Sequence, residues 1–192
     1  MDRNGNPFYL YNARLIDGSG GAVPQAPYAL VVEGNRIEAV AAQSDLPCPE
    51  GVMALDLGGK TLMPGMLEGH AHVDGDASAV RVLRLSLRRG ITTIASVSAN
   101  PPGIQLRDAI EAGHVRGCSR LMAGCIVTPT NGHVKYRAAD GPWEVRKAVR
   151  EMVAAGADFI KTAASGGFWG EDENCSVRNY TAEELEALVD EA

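Results

Sequence analysis

Two histidines separated by a single residue, His70 and His72, are the clearest candidates for chemistry in this sequence. They follow an apolar run from Thr61 to Leu67 that is typical of a β-strand. Side chains at positions i and i+2 of a strand point to the same face, so we expect the two imidazoles to converge. Imidazole nitrogens are good ligands for divalent zinc, and a pair supplies half of a tetrahedral set. The pattern also fits two inert, hydrogen-bonded residues at a strand end.

Lys161 lies in another apolar strand, directly after Phe159 and Ile160. An amine in apolar surroundings loses solvation, which favours its neutral form. The neutral amine can react with carbon dioxide to give a carbamate, and a carbamate can bridge two metal ions roughly 3.5–4 Å apart. The alternative is an ordinary lysine whose ammonium group reaches solvent at the end of the strand.

The sequence changes character near residue 60. Residues 8–60 contain short apolar runs and glycine turns, including a hairpin at Gly34 and Asn35, and are typical of part of a β-sandwich. After residue 60, predicted strands (61–67, 91–97, 119–127 and 158–162) alternate with predicted helices (80–87, 106–112, 145–153 and 181–189). Such alternation indicates a parallel sheet with crossover helices. Both an open doubly wound sheet and a closed (β/α)8 barrel fit this order.

The second segment is too short for a complete barrel. Residues 61–192 make up about half of the roughly 250 residues that a (β/α)8 barrel takes. The last predicted helix carries Asp190 and Glu191 at the negative end of its dipole and has no C-cap glycine. We therefore expect an α/β chain that is the N-terminal part of a longer protein. Residues 1–60 would form part of a small β-sandwich domain. Residues 61–192 would form strands 1–4 and helices 1–4 of a (β/α)8 TIM-type barrel.

Composition and charge argue against several classes of partner. The chain has 18 basic and 24 acidic residues, a net charge of −6 and 45% hydrophobic residues, as in ordinary globular proteins. Basic residues do not cluster, so nucleic acid is not an expected partner. No apolar run reaches the roughly 18–20 residues of a membrane span, and the polar start lacks a signal-peptide core. We therefore expect no membrane partner. The four cysteines form no Cys-x-x-Cys pair, so we also expect a reducing cytoplasm.

Several motifs occur along the chain in a characteristic order. They are Gly34–Ile37, Gly59–Leu67, His70–His72, Gly90–Thr93, Asn131–His133, Gly156–Lys161 and Ser165–Gly167. Together they resemble the metal-dependent amidohydrolase superfamily. Within it they are similar to the imidazolonepropionase-like branch and its prolidase-type, Xaa-Pro dipeptidase-like members. The resemblance spans nearly the whole chain.

The resemblance implies a particular site. His70 and His72 would hold the first of two divalent metal ions, expected to be zinc. Lys161, carboxylated by carbon dioxide, would bridge to the second ion. His133 would contact the carbonyl or carboxylate group of the substrate, although a plain turn residue is an equal alternative. Glu68 stands where many relatives have aspartate, and it would either support an imidazole or remain solvated.

The resemblance also implies hydrolysis of carbon–nitrogen (amide) bonds in a small molecule, such as a dipeptide or an N-acyl amino acid, by metal-activated hydroxide. The family takes two further histidines and an acid–base aspartate from later strands, so no catalytic residue is assigned among these 192 residues. We expect the chain alone to be inactive and to associate through open sheet edges. From its glycines, aromatic residues and acids, the loop 165–174 is expected to cover the mouth of the site, and the alternative is a plain solvent-exposed loop.

Other interpretations remain open. The full-length protein is expected to be a homo-oligomer, and the chain could instead be a non-catalytic amidohydrolase-like scaffold or one half of a split enzyme. Retention of both histidines and Lys161 argues against a scaffold. A nucleotide-binding sheet is disfavoured because no GxGxxG or GxxxxGK[ST] motif follows a strand.

Overall fold

The computed structural model describes residues 7–22, 25–168 and 173–192. The chain is a mixed α/β protein with two β-sheets, and it divides into two compact units, Met1–Pro64 and Gly65–Ala192. Among the described residues, no helix is long and apolar enough to cross a membrane.

The first unit is a sheet in the order β3-β2-β1-β4, with β5 also paired to β1. Its strands are β1 (Phe8–Leu15), β2 (Tyr28–Glu33), β3 (Arg36–Ala42), β4 (Met53–Asp56) and β5 (Thr61–Leu62). The antiparallel pair β2 and β3 confirms the predicted hairpin. Its turn contains Gly34 at φ 60°, a left-handed conformation that glycine adopts without steric cost.

The first strand is longer than the sequence indicated. The apolar run of residues 8–11 is followed by Asn12, a residue typical of turns, yet β1 continues to Leu15. Asn12 takes φ 56° where the pairing register of β1 with β2 shifts, between Leu10 and Ala13. Asparagine tolerates this left-handed conformation, so it produces an irregularity inside the strand where a chain stop was expected.

The single strand expected from Thr61 onward is two separate strands. Thr61 and Leu62 form β5 beside Arg14 and Leu15 in the first unit. Pro64, which has no N–H to donate to a ladder, follows. The next strand, β6, begins at Met66 in the second unit. The division between the units therefore lies four residues after the boundary predicted at 60/61.

The second unit contains a parallel sheet in the order β10-β8-β7-β6, with the short β9 paired to β8. Its strands are β6 (Met66–Ala71), β7 (Ile91–Ser96), β8 (Arg120–Thr128), β9 (Arg137–Ala138) and β10 (Phe159–Lys161). Its helices are α1 (Ala79–Arg88), α2 (Asn100–Glu111), α3 (Pro142–Ala154) and α4 (Ala182–Glu191). All four predicted strand–helix units are present. The two-residue β9 was not predicted, because it is too short to show any periodicity.

Helix α2 begins earlier than predicted. The expected start lay near Leu106, but the helix starts at Asn100 and has Pro101 and Pro102 in its first turn. Proline is tolerated there because the first N–H groups of a helix have no intrahelical partner. The two prolines mark the start of this helix, although a proline pair more often suggests a loop.

Apolar faces of the helices form the core of the second unit. On α3 the predicted residues Val145, Ala148 and Val149 are fully buried, whereas Val153 is 54% exposed and faces outward, contrary to the prediction. Leu83 of α1 is fully buried in a separate cluster with residues of β7 and β8. This packing fixes the strands, and with them the positions of the side chains at the strand ends.

Candidate active site

The carboxyl ends of the parallel strands meet at one edge of the sheet, where a cavity of about 120 Å³ lies. All four polar residues that the sequence singled out line this cavity, together with four apolar side chains. The lining consists of His70, His72, His133, Lys161, Val97, Ile126, Val134 and Ala163. Loops that follow the ends of neighbouring parallel strands converge in this way because the strands run in one direction. The prediction that these residues share one site therefore corresponds to a single observed cavity.

His70 and His72 come from the end of β6 and the residue beyond it. Their ring centroids are 5.6 Å apart and the rings lie edge to face at 60°. Both rings line the cavity, as the i, i+2 spacing predicts. Glu68 accepts a hydrogen bond from the backbone N–H of His70 at 2.9 Å, so its recorded contact is with the main chain. Glu68 is exposed to solvent, and its carboxylate holds the backbone of the strand end.

His72 is held from the neighbouring strand end. Its Nδ1 lies 2.9 Å from the hydroxyl oxygen of Ser98, and that hydroxyl donates a short hydrogen bond to Asp74. Ser98 follows β7 and is 7% exposed. Sequence reasoning missed both Ser98 and Asp74. The available signal was the alternation His70, His72, Asp74, which continues the period-two pattern of the strand.

Lys161 is the last residue of β10 and pairs with Ile126 of β8. Its side chain is half-buried and lines the cavity beside apolar residues of β8 and of the segment after β7. Lys161 therefore lies on the same cavity as His70 and His72.

His133 reaches the cavity from the loop after β8. Its Nδ1 lies 2.9 Å from Oε1 of Glu173, which belongs to the segment after β10. Gly167 lies against the same pair, and a Cβ there would collide with the imidazole and the Glu173 carboxylate. Next to His133, Val134 takes φ 60°, which is a strained backbone for a β-branched residue. Sequence reasoning missed Glu173, since a pair separated by 40 residues leaves no local pattern.

The predicted cover loop 165–174 is described only in part. Residues 169–172 lie outside the described residues. Of the described portion, Gly167 and Glu173 contact His133, so this loop does contribute to one wall of the site.

The cysteines take no part in this arrangement. Cys48, Cys118, Cys125 and Cys175 are all free thiols. Burial raises the pKa of the Cys118 and Cys125 thiols above their ordinary value, so both are protonated near neutral pH. Protonated thiols are poor nucleophiles and poor metal ligands.

The donor chemistry at the cavity fits a metal site that is only partly supplied by these residues. In the described ranges, no three His, Cys, Asp or Glu side chains converge to hold a metal ion. The imidazoles of His70, His72 and His133 and the amine of Lys161 are the nitrogen donors in the lining of the cavity. An amine converted to a carbamate would add two anionic oxygens to the two imidazole nitrogens, which is a donor set suited to zinc and related divalent ions.

The fold and the site define a class: an α/β protein whose candidate site sits at the carboxyl edge of a parallel sheet. No protein-family model matches the sequence. Among curated proteins, the chain is 27% identical over 234 residues to ochratoxinase of Aspergillus niger, covering 95% of this chain and 47% of the relative. It is 29% identical over 181 residues to an N-acyl-D-aspartate deacylase of Alcaligenes xylosoxydans xylosoxydans, covering 85% of this chain and 35% of the relative.

Solved structures of hydrolases are also similar to this chain. An amidohydrolase superposes with a TM-score of 0.83 at 29% identity, covering 97% of this chain and 53% of that one. A prolidase complexed with N-methylphosphonate-L-proline superposes with a TM-score of 0.82 at 27% identity, with the same coverage. The chain is therefore similar over nearly its whole length to an amidohydrolase and to a prolidase. It spans about half the length of ochratoxinase and of these two solved structures.

Proposed function

We propose that the protein hydrolyses an amide bond in a small substrate, such as a dipeptide or an N-acyl amino acid, and that it does so with divalent metal ions. The observation that carries this proposal is the convergence of His70, His72, His133 and Lys161 on one cavity at the carboxyl edge of the parallel sheet. Amide hydrolysis is also the chemistry that the names of the deacylase and the prolidase describe.

The proposal includes a (β/α)8 barrel for the whole protein. The strands β6, β7, β8 and β10 neighbour one another in chain order, each separated from the next by a helix. A doubly wound sheet reverses its strand order at a switch point, and this sheet shows no reversal. Sequential order is what the first four strands of a barrel require. In a barrel the carboxyl edge of these strands would be the active-site face.

His70 and His72 would hold the first metal ion, and Lys161, as a carbamate, would bridge to the second. When bound, such ions lower the pKa of a water molecule and supply hydroxide near neutral pH. The role of the protein residues is to present unprotonated imidazole nitrogens and to keep an apolar wall beside them. Val97, Ile126 and Ala163 provide that wall. Zinc as the ion, the cytoplasm as the location and a homo-oligomer as the assembly belong to the same proposal.

His133 is proposed to bind the carbonyl or carboxylate group of the substrate. His133 lines the cavity, and its Nδ1 lies 2.9 Å from the Glu173 carboxylate. This contact fixes the orientation of the imidazole at the wall of the cavity. N-acyl amino acids and dipeptides both carry a carboxylate and an amide carbonyl that an imidazole can recognise.

The test uses the protein as its gene encodes it. Metal content is measured by elemental analysis after dialysis, and hydrolysis is followed on Xaa-Pro dipeptides and on N-acyl amino acids of both configurations. We expect about two divalent ions per chain and turnover of at least one substrate group, both abolished by a chelator and restored by zinc. Bound metal without turnover would favour the non-catalytic scaffold. Absence of metal from a folded protein would reject the proposal.

A further inference from the structure

We propose that Ser98 and Asp74 are positioning residues that hold His72 in one orientation and one tautomer, so that its Nε2 lone pair is directed into the cavity. The inference rests on the proposed metal-dependent function. It adds two residues from outside the proposed ligand set, and it assigns a direction to each hydrogen bond between them.

The direction of these hydrogen bonds follows from donor and acceptor capacity. A carboxylate can only accept, so the Ser98 hydroxyl must donate its single proton to Asp74. The Ser98 oxygen then has only lone pairs to offer to Nδ1 of His72, at 2.9 Å. Nδ1 must therefore carry a ring proton, and in the neutral imidazole this leaves Nε2 as the unprotonated nitrogen. Since His72 lines the cavity, this tautomer is the one that can bind a metal ion there.

The backbone around these residues is built to keep them in place. Ser96, two residues before Ser98, accepts a hydrogen bond from the backbone N–H of Val73 at 2.9 Å. Val73 lies between His72 and Asp74. Ser96 therefore holds the main chain of this turn, and Ser98 holds the side chains of His72 and Asp74. Val73 is itself buried. His72 and Asp74, the two partners of Ser98, are thus both attached to the end of β6.

A glycine allows the Asp74 turn to approach the start of α2. Gly75 has φ 79°, and a Cβ on it would lie 2.5 Å from the carbonyl atoms of Pro102. A Cβ on Gly103 would lie 3.4 Å from the carbonyl oxygen of Val73. A side chain at Gly75 would therefore push the two segments apart. This close approach brings Asp74 within hydrogen-bonding reach of Ser98. The glycine contact is an observation separate from the hydrogen bonds, and it supports the same arrangement.

Metal affinity provides the first test. Apoprotein of the full natural chain is titrated with zinc against a chromophoric chelator, for wild type, Ser98→Ala, Asp74→Ala and Asp74→Asn. We expect Ser98→Ala and Asp74→Ala to weaken zinc binding by about 10–100-fold, as loss of such supporting groups typically does. Asp74→Asn should lie closer to wild type, because an amide oxygen still accepts from Ser98. Unchanged affinity in Ser98→Ala and Asp74→Ala would overturn the inference.

Ser119→Ala is the matched control. Ser119, the residue before β8, is also a buried serine. Its hydroxyl contacts the carbonyl oxygens of Leu83 in α1 and Ile91 in β7, away from the cavity lining. It should lose stability without losing zinc affinity. Asp74 is exposed, so Asp74→Ala is expected to fold even if Ser98→Ala does not. Thermal melts of each variant separate loss of fold from loss of positioning.

The tautomer can be measured without any metal. Histidine 15N shifts in the apoprotein distinguish Nδ1–H from Nε2–H, and a His72→Gln variant assigns the signal. We expect Nδ1–H for His72 in wild type and a mixture of tautomers in Ser98→Ala. An Nε2–H tautomer in wild type would overturn the inference. Failure of wild type to bind zinc despite an Nδ1–H signal would reject the proposed function separately.

Discussion

The two histidine positions on either side of the cavity are held in different ways. His72 is held by Ser98 and Asp74, which sit at the ends of adjacent strands close to regular, buried structure. His133 is held by Glu173, across a loop-to-loop contact that depends on the small size of Gly167. One side is thus built from strand ends and the other from irregular segments.

This difference suggests a division of labour. Metal ions need ligands fixed within narrow limits, and the ends of a packed sheet supply that rigidity. Substrates of one family vary while the metal chemistry stays the same, and loops after barrel strands accommodate such variation. We therefore expect changes on the His72 side to alter metal binding and changes on the His133 side to alter substrate affinity.

The largest expected effect comes from Lys161. Lys161→Ala should lower kcat/KM by about a thousandfold, because loss of the proposed bridging ligand would remove several kcal/mol of transition-state stabilisation. Added propionate should restore part of the activity if a carboxylate is what is missing. Lys147→Ala is the control, since Lys147 is exposed on α3 and its ammonium group lies 3.8 Å from Glu151. Full activity in Lys161→Ala would contradict the proposed site.

The next largest effect is expected on the free energy of unfolding, from the packing of α1 against the strands. Leu83→Ala removes a fully buried side chain from α1 and should lower the free energy of unfolding by about 2–5 kcal/mol, through lost burial and a residual cavity. The control on the same helix is Leu85→Ala, where the side chain is 49% exposed and the cost should be below about 1 kcal/mol. Urea denaturation measures both. Equal costs would mean that α1 does not anchor the sheet in this way.

The loop side of the cavity should respond in substrate affinity. Glu173→Gln replaces a charged partner of His133 by a neutral one, and we expect KM to rise about tenfold, equivalent to about 1.4 kcal/mol, with zinc affinity unchanged. Glu111→Gln is the matched control, because Glu111 is an exposed partner of Arg120. Parallel losses of zinc affinity and substrate affinity in Glu173→Gln would remove the distinction between the two sides.

Sequence patterns predicted the site residues on strands better than the partners that reach the site from loops. His70, His72 and Lys161 sit on apolar strands with a period of two, and their convergence follows from parallel strand direction. Glu173 and Ser98 are fixed by contacts across 40 and 26 residues, which no local period encodes. The start of α2 was misplaced because prolines are acceptable in a first helical turn.

The capping box of α4, by contrast, has a local sequence pattern, Thr181 followed three residues later by Glu184, and it offers the smallest effect. Thr181 accepts from the backbone N–H of Glu184, and the Glu184 carboxylate accepts from the backbone N–H groups of Thr181 and, at 2.7 Å, of Gly141 before α3. These hydrogen bonds lower the pKa of Glu184 below its ordinary value.

A carboxylate with a lowered folded-state pKa stabilises the fold at pH values above its unfolded pKa of about 4.3, and this stability disappears as the pH falls through the folded value. Glu184→Gln should therefore cost about 1 kcal/mol at pH 7, and this cost should shrink as the pH falls through the folded pKa of Glu184. Glu183→Gln, in the same first turn but exposed, is the control and should cost less than about 0.5 kcal/mol at pH 7. The box fixes the chain just after the segment that carries Glu173, so Glu184→Gln should also raise KM slightly. A pH-independent cost would show that charge on Glu184 does not stabilise this junction.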